Sequence, residues 1–262
     1  MQITIVGSGN VATQLGIALK EAGHKIVGIV GRNALSVKRA AQILKAPSTT
    51  DFKQILPCDF IVVAVSDIAI ASVVKKISLA LGDKQPIVLH TSGSISIDIF
   101  KTRFKRYGVV YPIQTISAND YINFQNVPFC IEASDKSSLA KIKKLALDVS
   151  DNVQVMSSQT RKFVHLSAVI ANNFSNHLFA LAEGVLRKHK ISFDLLKPLI
   201  EKTAQKIYTV SPSVAQTGPA KRGDKKIIKE HLKLLSYNKT IKQVYALLSK
   251  SIEKKKNHAT KF

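Results

Sequence analysis

Apolar positions in the first thirty residues change their spacing twice. The segment Gln2–Val6 is a short run rich in β-branched residues, which predicts a strand that ends at Gly7. Apolar residues then recur at helical spacing as far as Gly23, and Lys25–Val30 is a second β-rich run. The pattern therefore predicts a strand, a tight turn, a helix and a second strand.

The alternation of short apolar runs with helical spacing continues to about residue 157. Continuous apolar runs are typical of strands that are buried on both faces of a parallel sheet. The alternation therefore predicts an α/β fold with a doubly wound parallel sheet, as in the Rossmann architecture. The further predicted strands are 59–65, 86–90, 109–111, 128–132 and 153–156, and the further predicted helices are 34–45, 68–81 and 137–149.

The strand signal disappears after residue 158. Four amphipathic helical patterns follow, at 159–189, 193–210, 224–236 and 240–255. We therefore expect two domains, 1–157 with the sheet and 158–262 with helices only.

The turn between the first strand and the first helix has the sequence GSGNVA. Gly7 permits a tight turn, Gly9 lets a pyrophosphate approach the backbone, and Ala12 lets the helix pack closely on the strand. The helix N-terminus presents free N–H groups to a phosphate. Glycines also mark ordinary turns, but the order strand, turn, helix and strand favours dinucleotide binding. The predicted pyrophosphate ligands are Gly7, Ser8, Gly9, Asn10 and Val11.

The end of the second strand indicates which dinucleotide binds. NAD-binding sites usually place Asp or Glu there to hold the ribose hydroxyl, whereas this chain has Gly31, Arg32 and Asn33. A guanidinium can clamp a 2′-phosphate, so Arg32 and Asn33 predict NADP as the cofactor. A solvated arginine at the start of a loop is the alternative interpretation.

Polar residues follow three of the buried predicted strands, at Ser66-Asp67, His90-Thr91-Ser92 and Gln114-Thr115. Because the carboxyl ends of parallel strands line the ligand crevice of such a sheet, we expect these residues to face the cofactor. Each segment alone is also compatible with an ordinary loop. The predicted cofactor contacts are Ala64, Val65, Ser66 and Asp67 after one strand and Thr91 and Ser92 after the next, with Ser66, Thr91 and Ser92 at the nicotinamide end.

The predicted helix 159–189 carries a polar stripe that includes His165, Asn172, Asn176 and Glu183. A solvent-exposed face is the ordinary interpretation. However, no lysine or arginine occurs between residues 163 and 186 of a chain that is 21% charged, which favours a cleft or a subunit interface. We interpret His165 and Asn172 as candidate catalytic residues. For His165, a core histidine with a satisfied hydrogen bond is the alternative.

A second unusual stretch, residues 217–224, reads TGPAKRGD. Its glycines and proline predict a defined loop, and Asp224 is suited to cap the following helix. Arg222 is one of seven arginines in the chain and lies between Gly218 and Gly223. Its position indicates either anion binding or a contact between subunits.

Composition excludes several classes of protein. With 262 residues, of which 45% are apolar, the chain can form a sizeable core, and its longest apolar run, 60–65, is too short for a membrane span. Met1 leads directly into a strand, so we expect a cytoplasmic protein. Cys58 and Cys130 form neither a metal-binding pair nor a disulfide framework, which predicts buried thiols and no metal site.

The net charge of +22 is unusual. Its lysines are dispersed and are not interleaved with aromatic residues, so nucleic-acid binding is not expected. We interpret the charge as a solvated lysine surface that also attracts anionic substrates and cofactors.

The chain resembles a family of Rossmann-like NADP oxidoreductases whose helical C-terminal domain has no assigned function. The matching stretches are GSGNVA, GRN, VAVSD, HTSGS, YPIQT, PFCIEA, HLSAVIANNFSNHL and TGPAKRGD. The resemblance implies a fold similar to pyrroline-5-carboxylate reductase, deazaflavin-dependent NADP oxidoreductase and 6-phosphogluconate dehydrogenase, with a C-terminal domain like that of the last. Hydroxyacid dehydrogenases of that group use a lysine and an asparagine one turn later. This chain has His165 and then Val169, so their catalytic assignment does not transfer.

The residues and the resemblance together favour an NADP(H)-dependent oxidoreductase. In this hypothesis a hydride passes to a C=O or C=N carbon of a small substrate in the cleft between the domains. His165 supplies or relays the proton, and Asn172 orients the substrate. The alternative is a non-catalytic NADP-binding sensor. We also expect a homodimer joined through the helical domain, because about a hundred residues in four helices bury little core alone.

Overall fold

The computed structural model describes residues 1–82, 85–117 and 121–259, with side chains up to residue 254. The chain divides into two compact units, Met1–Asn172 and Asn173–Phe262. The change from strands to helices near residue 157 precedes this division, because the helix after the last strand belongs to the first unit.

The first unit contains an eight-stranded sheet in the order β3-β2-β1-β4-β5-β6-β7-β8. The strand order reverses at β1, because β2 and β4 flank it on opposite sides. In a doubly wound sheet, ligands bind at the carboxyl ends of the strands next to such a switch point. The strands are β1 Gln2–Val6, β2 Lys25–Val30, β3 Ser48–Thr49, β4 Phe60–Val63, β5 Ile87–His90, β6 Tyr107–Pro112, β7 Phe129–Ala133 and β8 Val153–Val155.

Helices cover both faces of this sheet, as the continuous apolar strands predict. Ile3 and Ile5 of β1 are buried on one face, in a cluster with apolar side chains of α1, α2 and α4. Val6 is buried on the other face, in a cluster with side chains of α3. The predicted Rossmann α/β fold is confirmed. The helices of the first unit are α1 Asn10–Glu21, α2 Ala34–Leu44, α3 Asp67–Leu81, α4 Lys136–Leu147 and α5 Ser158–Ala168.

One strand pair departs from the predicted parallel arrangement. β6 and β7 are antiparallel, whereas the other pairs in the sheet are parallel. A parallel neighbour needs a crossover connection, which is usually a helix. Between β6 and β7 the described residues contain only the 3₁₀ turn Phe124–Asn126, so the chain returns along the sheet in the opposite direction.

The predicted helix 159–189 is not uniform. It consists of α5, a π-helical segment Val169–Phe174 and α6 Ser175–Lys188. A π-helix widens the turn by one residue, so the angular spacing of 100° per residue does not hold through it. The prediction that the polar residues from His165 to Glu183 lie along one straight line of the helix is therefore wrong, although these residues are helical as expected.

The described residues of the second unit form helices joined by turns and short loops, with no strand among them. Asp224 accepts a hydrogen bond from the Ile227 N–H at 3.3 Å, so the predicted cap is confirmed. The predicted loop 217–224 is a short helix in part, because proline is well suited to the first turn of a helix. No helix in the described residues is long and apolar enough to cross a membrane. The helices of this unit are α6, α7 Lys197–Lys206, α8 Pro212–Ala215, α9 Pro219–Arg222, α10 Lys225–Leu234 and α11 Lys239–Ala259.

Candidate functional site

The glycine turn after β1 joins the carboxyl ends of three strands. Gly7 has a φ of +132°, and its N–H donates to the Val30 carbonyl of β2 at 2.8 Å. A Cβ at this position would lie 2.1 Å from the carbonyl oxygen of Ala64, directly after β4. Only glycine fits both the conformation and this approach. The turn therefore keeps the backbone close to the sheet at the switch point.

The N-terminus of α1 is open beyond this turn. Gly9 is its N-cap, has extended backbone angles and supplies no side-chain cap. A Cβ on Gly9 would meet nothing within 4 Å, so the space beside Gly9 is open. Ser8 and Val11 are half-buried and Asn10 is exposed. The first N–H groups of a helix lack intrahelical partners, so this geometry fits a pyrophosphate group.

Arg32 follows β2 beside the glycine turn and is exposed. Within the described part of the chain it forms no ion pair. The Asn33 side-chain oxygen accepts the Ser36 N–H at 3.0 Å and so caps α2, which occupies that oxygen. The guanidinium remains available for an anion at the end of β2.

Backbone hydrogen bonds bring the next predicted contacts beside this turn. The N–H of Ala64 donates to the Val6 carbonyl at 2.8 Å, and the N–H of Thr91 donates to the Val63 carbonyl at 3.2 Å. Ala64 is buried, whereas Val65 and Thr91 are half-buried. The carboxyl ends of β1, β4 and β5 are thus neighbours, as the sequence predicts.

A network of hydroxyl groups fixes the loop after β5. The Ser92 hydroxyl accepts the N–H groups of Ser94 and Ile95, both at 3.1 Å, and Ser92 is only 7% exposed. The Ser94 hydroxyl donates to the carboxylate of Asp67 at the start of α3. Ser66 is the N-cap of α3 but makes no side-chain cap bond, and it is exposed. Ser92 and Asp67 therefore shape the loop, while the Ser66 hydroxyl remains accessible.

His165 of α5 lies over this loop. Its Nδ1 is 3.0 Å from the Tyr111 hydroxyl of β6, and the two rings meet edge to face with centroids 5.8 Å apart. A Cβ at Gly93 would lie 2.7 Å from that Nδ1 and 2.8 Å from the Tyr111 Cζ. His165 is half-buried. The structure thus places His165 at the carboxyl ends of β5 and β6.

Asn172 makes a separate contact near the same end of β6. Its Nδ2 donates to the Thr115 hydroxyl at 2.7 Å, and the residue lies in the π-helical segment. The Asn10 side chain donates to the Ile116 carbonyl at 3.2 Å, which ties the start of α1 to the loop after β6. The two candidate catalytic residues therefore contact different residues of β6 and its following loop.

A buried arginine that the sequence analysis did not identify anchors α5. Arg161 is fully buried, and its guanidinium pairs with the Glu132 carboxylate at 2.5 Å and donates to the Ile95 carbonyl at 2.6 Å. Ser158 donates its hydroxyl to the same carboxylate at 2.6 Å. These contacts hold α5, and hence His165 one turn later, against β7 and the loop after β5.

A second buried polar residue lies beneath that loop. His90 is fully buried at the end of β5, and its Nδ1 accepts the Ser92 N–H at 3.1 Å. Burial and, to a smaller extent, the positive charge of Arg161 lower the pKa of His90 to about 3. His90 is therefore a neutral structural residue near neutral pH.

The domain models that match the chain are a Rossmann-like domain over residues 1–113 and the domain of unknown function DUF2520 over residues 127–252. No curated protein is significantly similar to the chain in sequence. A crystal structure from Bacteroides fragilis, named a "putative NADP oxidoreductase", shares 37% sequence identity over 97% of this chain and 98% of its own, with a TM-score of 0.91. This chain belongs to the same family. We call it the Rossmann–DUF2520 family, after the two matching domains.

More distant structures share the fold of the Rossmann–DUF2520 family. A 1-pyrroline-5-carboxylate reductase from Streptococcus pyogenes is 14% identical, covers 97% of this chain and 98% of its own, and has a TM-score of 0.65. An imine reductase from Myxococcus stipitatus, solved with NADP⁺, is 13% identical, covers 100% and 94%, and has a TM-score of 0.64. At this identity the likeness extends to the fold alone.

Proposed function

We propose that this protein is an NADP(H)-dependent oxidoreductase that adds a hydride to a C=O or C=N carbon of a small substrate. One observation supports this most directly. A titratable side chain, His165, and its hydroxyl partner, Tyr111, lie at the carboxyl ends of β5 and β6, in the same unit as the open glycine turn. Neighbouring folds named as pyrroline-carboxylate and imine reductases support the class of reaction.

NADP(H) is the cofactor, and it supplies the hydride when bound. The backbone from Gly7 to Val11 would hold its pyrophosphate, since the space beside Gly9 is open and the first N–H groups of α1 lack a side-chain cap. Arg32 would bind the 2′-phosphate through charge-assisted hydrogen bonds. Ser66 and Thr91 would flank the nicotinamide end, with Ser92 and Asp67 shaping the loop beside it.

Reduction of C=O or C=N also requires a proton at the oxygen or nitrogen. In this proposal the protonated ring of His165 gives that proton as a general acid and becomes the neutral imidazole. Asn172 orients the substrate through its amide, which already donates to the Thr115 hydroxyl. The net charge of +22 favours an anionic substrate by raising its local concentration.

We further infer that the protein is a homodimer joined through its second unit. Within residues 173–254, the buried side chains are those of Ala220, Leu235 and Ser249. A helical unit of this size normally covers at least one apolar face of each helix. Leu195, Leu234 and other large apolar side chains are instead exposed, and a second copy would cover them.

The test of the oxidoreductase is a direct assay. NADPH absorbance is followed after mixing with panels of cyclic imines, keto acids, aldehydes and a deazaflavin. We expect oxidation with one class, and its loss in His165→Gln while NADPH binding persists. His177→Gln, an exposed histidine of α6, is the matched control and should keep wild-type turnover. Tight NADPH binding without turnover of any compound would instead indicate a non-catalytic NADP-binding protein.

A further inference from the structure

The Tyr111 hydroxyl occupies one of the two nitrogens of the candidate acid. Its contact with His165 Nδ1 is 3.0 Å long. In the part of the chain that the structure describes, His165 Nε2 makes no hydrogen bond. Nε2 is therefore the nitrogen that remains available to a substrate.

Gly93 provides the space that this pair of rings needs. A Cβ there would come within 2.8 Å of both His165 Cγ and Tyr111 Cζ. Such distances are well below van der Waals contact, so a side chain at Gly93 would separate the rings. Arg161 fixes α5 from below through Glu132. The Gly93 backbone, the Tyr111 ring and the Arg161–Glu132 ion pair therefore all bear on the position of the His165 ring.

A phenol is a suitable partner for an imidazole that must change its charge. It can donate its O–H to the unprotonated Nδ1 of a neutral ring, and it can accept the Nδ1–H of a protonated ring. A carboxylate would accept only, and would favour the protonated ring. Burial raises the pKa of Tyr111, so the phenol keeps its proton near neutral pH.

We propose that Tyr111 is a positioning residue that holds His165 through Nδ1, so that Nε2 faces the substrate and carries the proton in the resting neutral ring. In turnover the protonated ring gives its Nε2–H to the substrate, and the neutral ring that results keeps its proton on Nδ1, donated to the Tyr111 oxygen, until Nε2 is protonated again. The expected effect of Tyr111 on turnover rests on the proposed oxidoreductase function. The tautomer of His165 does not depend on that function and is measured without substrate.

The tautomer is read from the nitrogen chemical shifts of the histidines in ¹⁵N-labelled protein above neutral pH. The His165 signals are assigned as those missing from His165→Gln. We expect a single tautomer with Nε2 protonated in the wild type, and a mixture of both tautomers in Tyr111→Phe. A wild-type ring protonated on Nδ1, or a tautomer unchanged by Tyr111→Phe, would overturn the proposal. The wild-type measurement decides even where the variant folds poorly.

Kinetics provide the second readout. Tyr111→Phe should lower kcat roughly ten- to a hundredfold, as expected for a misoriented catalytic group, with KM and NADPH affinity unchanged. Tyr107→Phe is the matched control, since Tyr107 lies at the other end of β6 against Phe100. An unchanged kcat in Tyr111→Phe, or an equal loss in Tyr107→Phe, would refute the positioning role. Absence of turnover in every form would refute the oxidoreductase function but leave the tautomer result valid.

Discussion

Arg161 and Glu132 form a buried ion pair in which the guanidinium has no exposed surface and the carboxylate is 17% exposed. Removing one partner of such a pair leaves an uncompensated charge in the interior. We expect Glu132→Gln to lower the free energy of unfolding by about 3–5 kcal/mol, measured by urea denaturation.

The exposed pair Asp194 and Lys197 is the control for this substitution. Its N–O distance is 2.5 Å, yet both side chains are more than half exposed. Solvent screens such a pair, so Asp194→Asn should leave stability unchanged. Similar losses of unfolding free energy in Glu132→Gln and Asp194→Asn would show that burial does not determine how much the Arg161–Glu132 pair stabilises the fold.

The sequence does not predict the ion pair between Arg161 and Glu132. Arg161 and Glu132 are separated by 29 positions, and both residue types are usually exposed. The sequence predicts Tyr111 only as the last residue of the strand 109–111, and its partner His165 lies 54 positions later. Side-chain pairing over such separations depends on how α5 docks on the sheet, and hydrophobic spacing carries no information about it.

Local features were more accessible to prediction. The strands buried on both faces are continuous apolar runs, and the turn at Gly7 depends on six adjacent residues, so both could be identified. The antiparallel β7 and the π-helical segment Val169–Phe174 were missed, since each depends on tertiary contacts rather than on composition. The roles of Arg32 and Asn172 stay predictions.

His90 should make stability fall in weak acid. Its pKa is about 3 in the folded protein and near 6.5 when unfolded, so above pH 6.5 both states are neutral and it has no effect. As pH falls from 6.5 toward 3, the unfolded chain binds a proton that the folded protein excludes. Stability should therefore decrease by about 1.4 kcal/mol per unit, or about 2 kcal/mol by pH 5.

The comparison that isolates His90 is urea unfolding of wild type and His90→Asn at pH 7 and pH 5. Asn retains an acceptor for the Ser92 N–H, and it does not titrate. The pKa of His24 is also lowered, by burial and then by the N-terminal amine, so a smaller slope persists in the variant. Equal pH dependence in both proteins would contradict the expectation.

Gly93→Ala should lower kcat by at least about tenfold, because its Cβ would displace the rings of His165 and Tyr111. Gly184→Ala is the control, since a Cβ at Gly184 in α6 meets nothing within 4 Å. That variant should keep kcat and gain roughly 0.5–1 kcal/mol of stability. Wild-type kcat in Gly93→Ala would show that the two rings lie outside the reaction site.

Arg32→Ala should weaken NADPH binding by roughly 10- to 100-fold, equivalent to about 1.5–3 kcal/mol for a charged hydrogen bond. NADH, which has no 2′-phosphate, should bind both proteins equally in isothermal titration. Arg39→Ala, an exposed arginine of α2, should leave both affinities unchanged. Tighter binding of NADH than NADPH by the wild type would refute the assigned role of Arg32.

The dimer should form through apolar contacts of the second unit and should strengthen with salt. A net charge of +22 makes two copies repel, and added salt screens that repulsion. Light scattering at two salt concentrations should give twice the chain mass, with a larger dimer fraction at higher salt. Leu234→Glu in α10 should give monomers, whereas Leu79→Glu in α3 should not, although these leucines are 72% and 76% exposed. Monomer mass for the wild type at both salt concentrations would refute the dimer, because no second copy would then cover the exposed apolar side chains of the second unit.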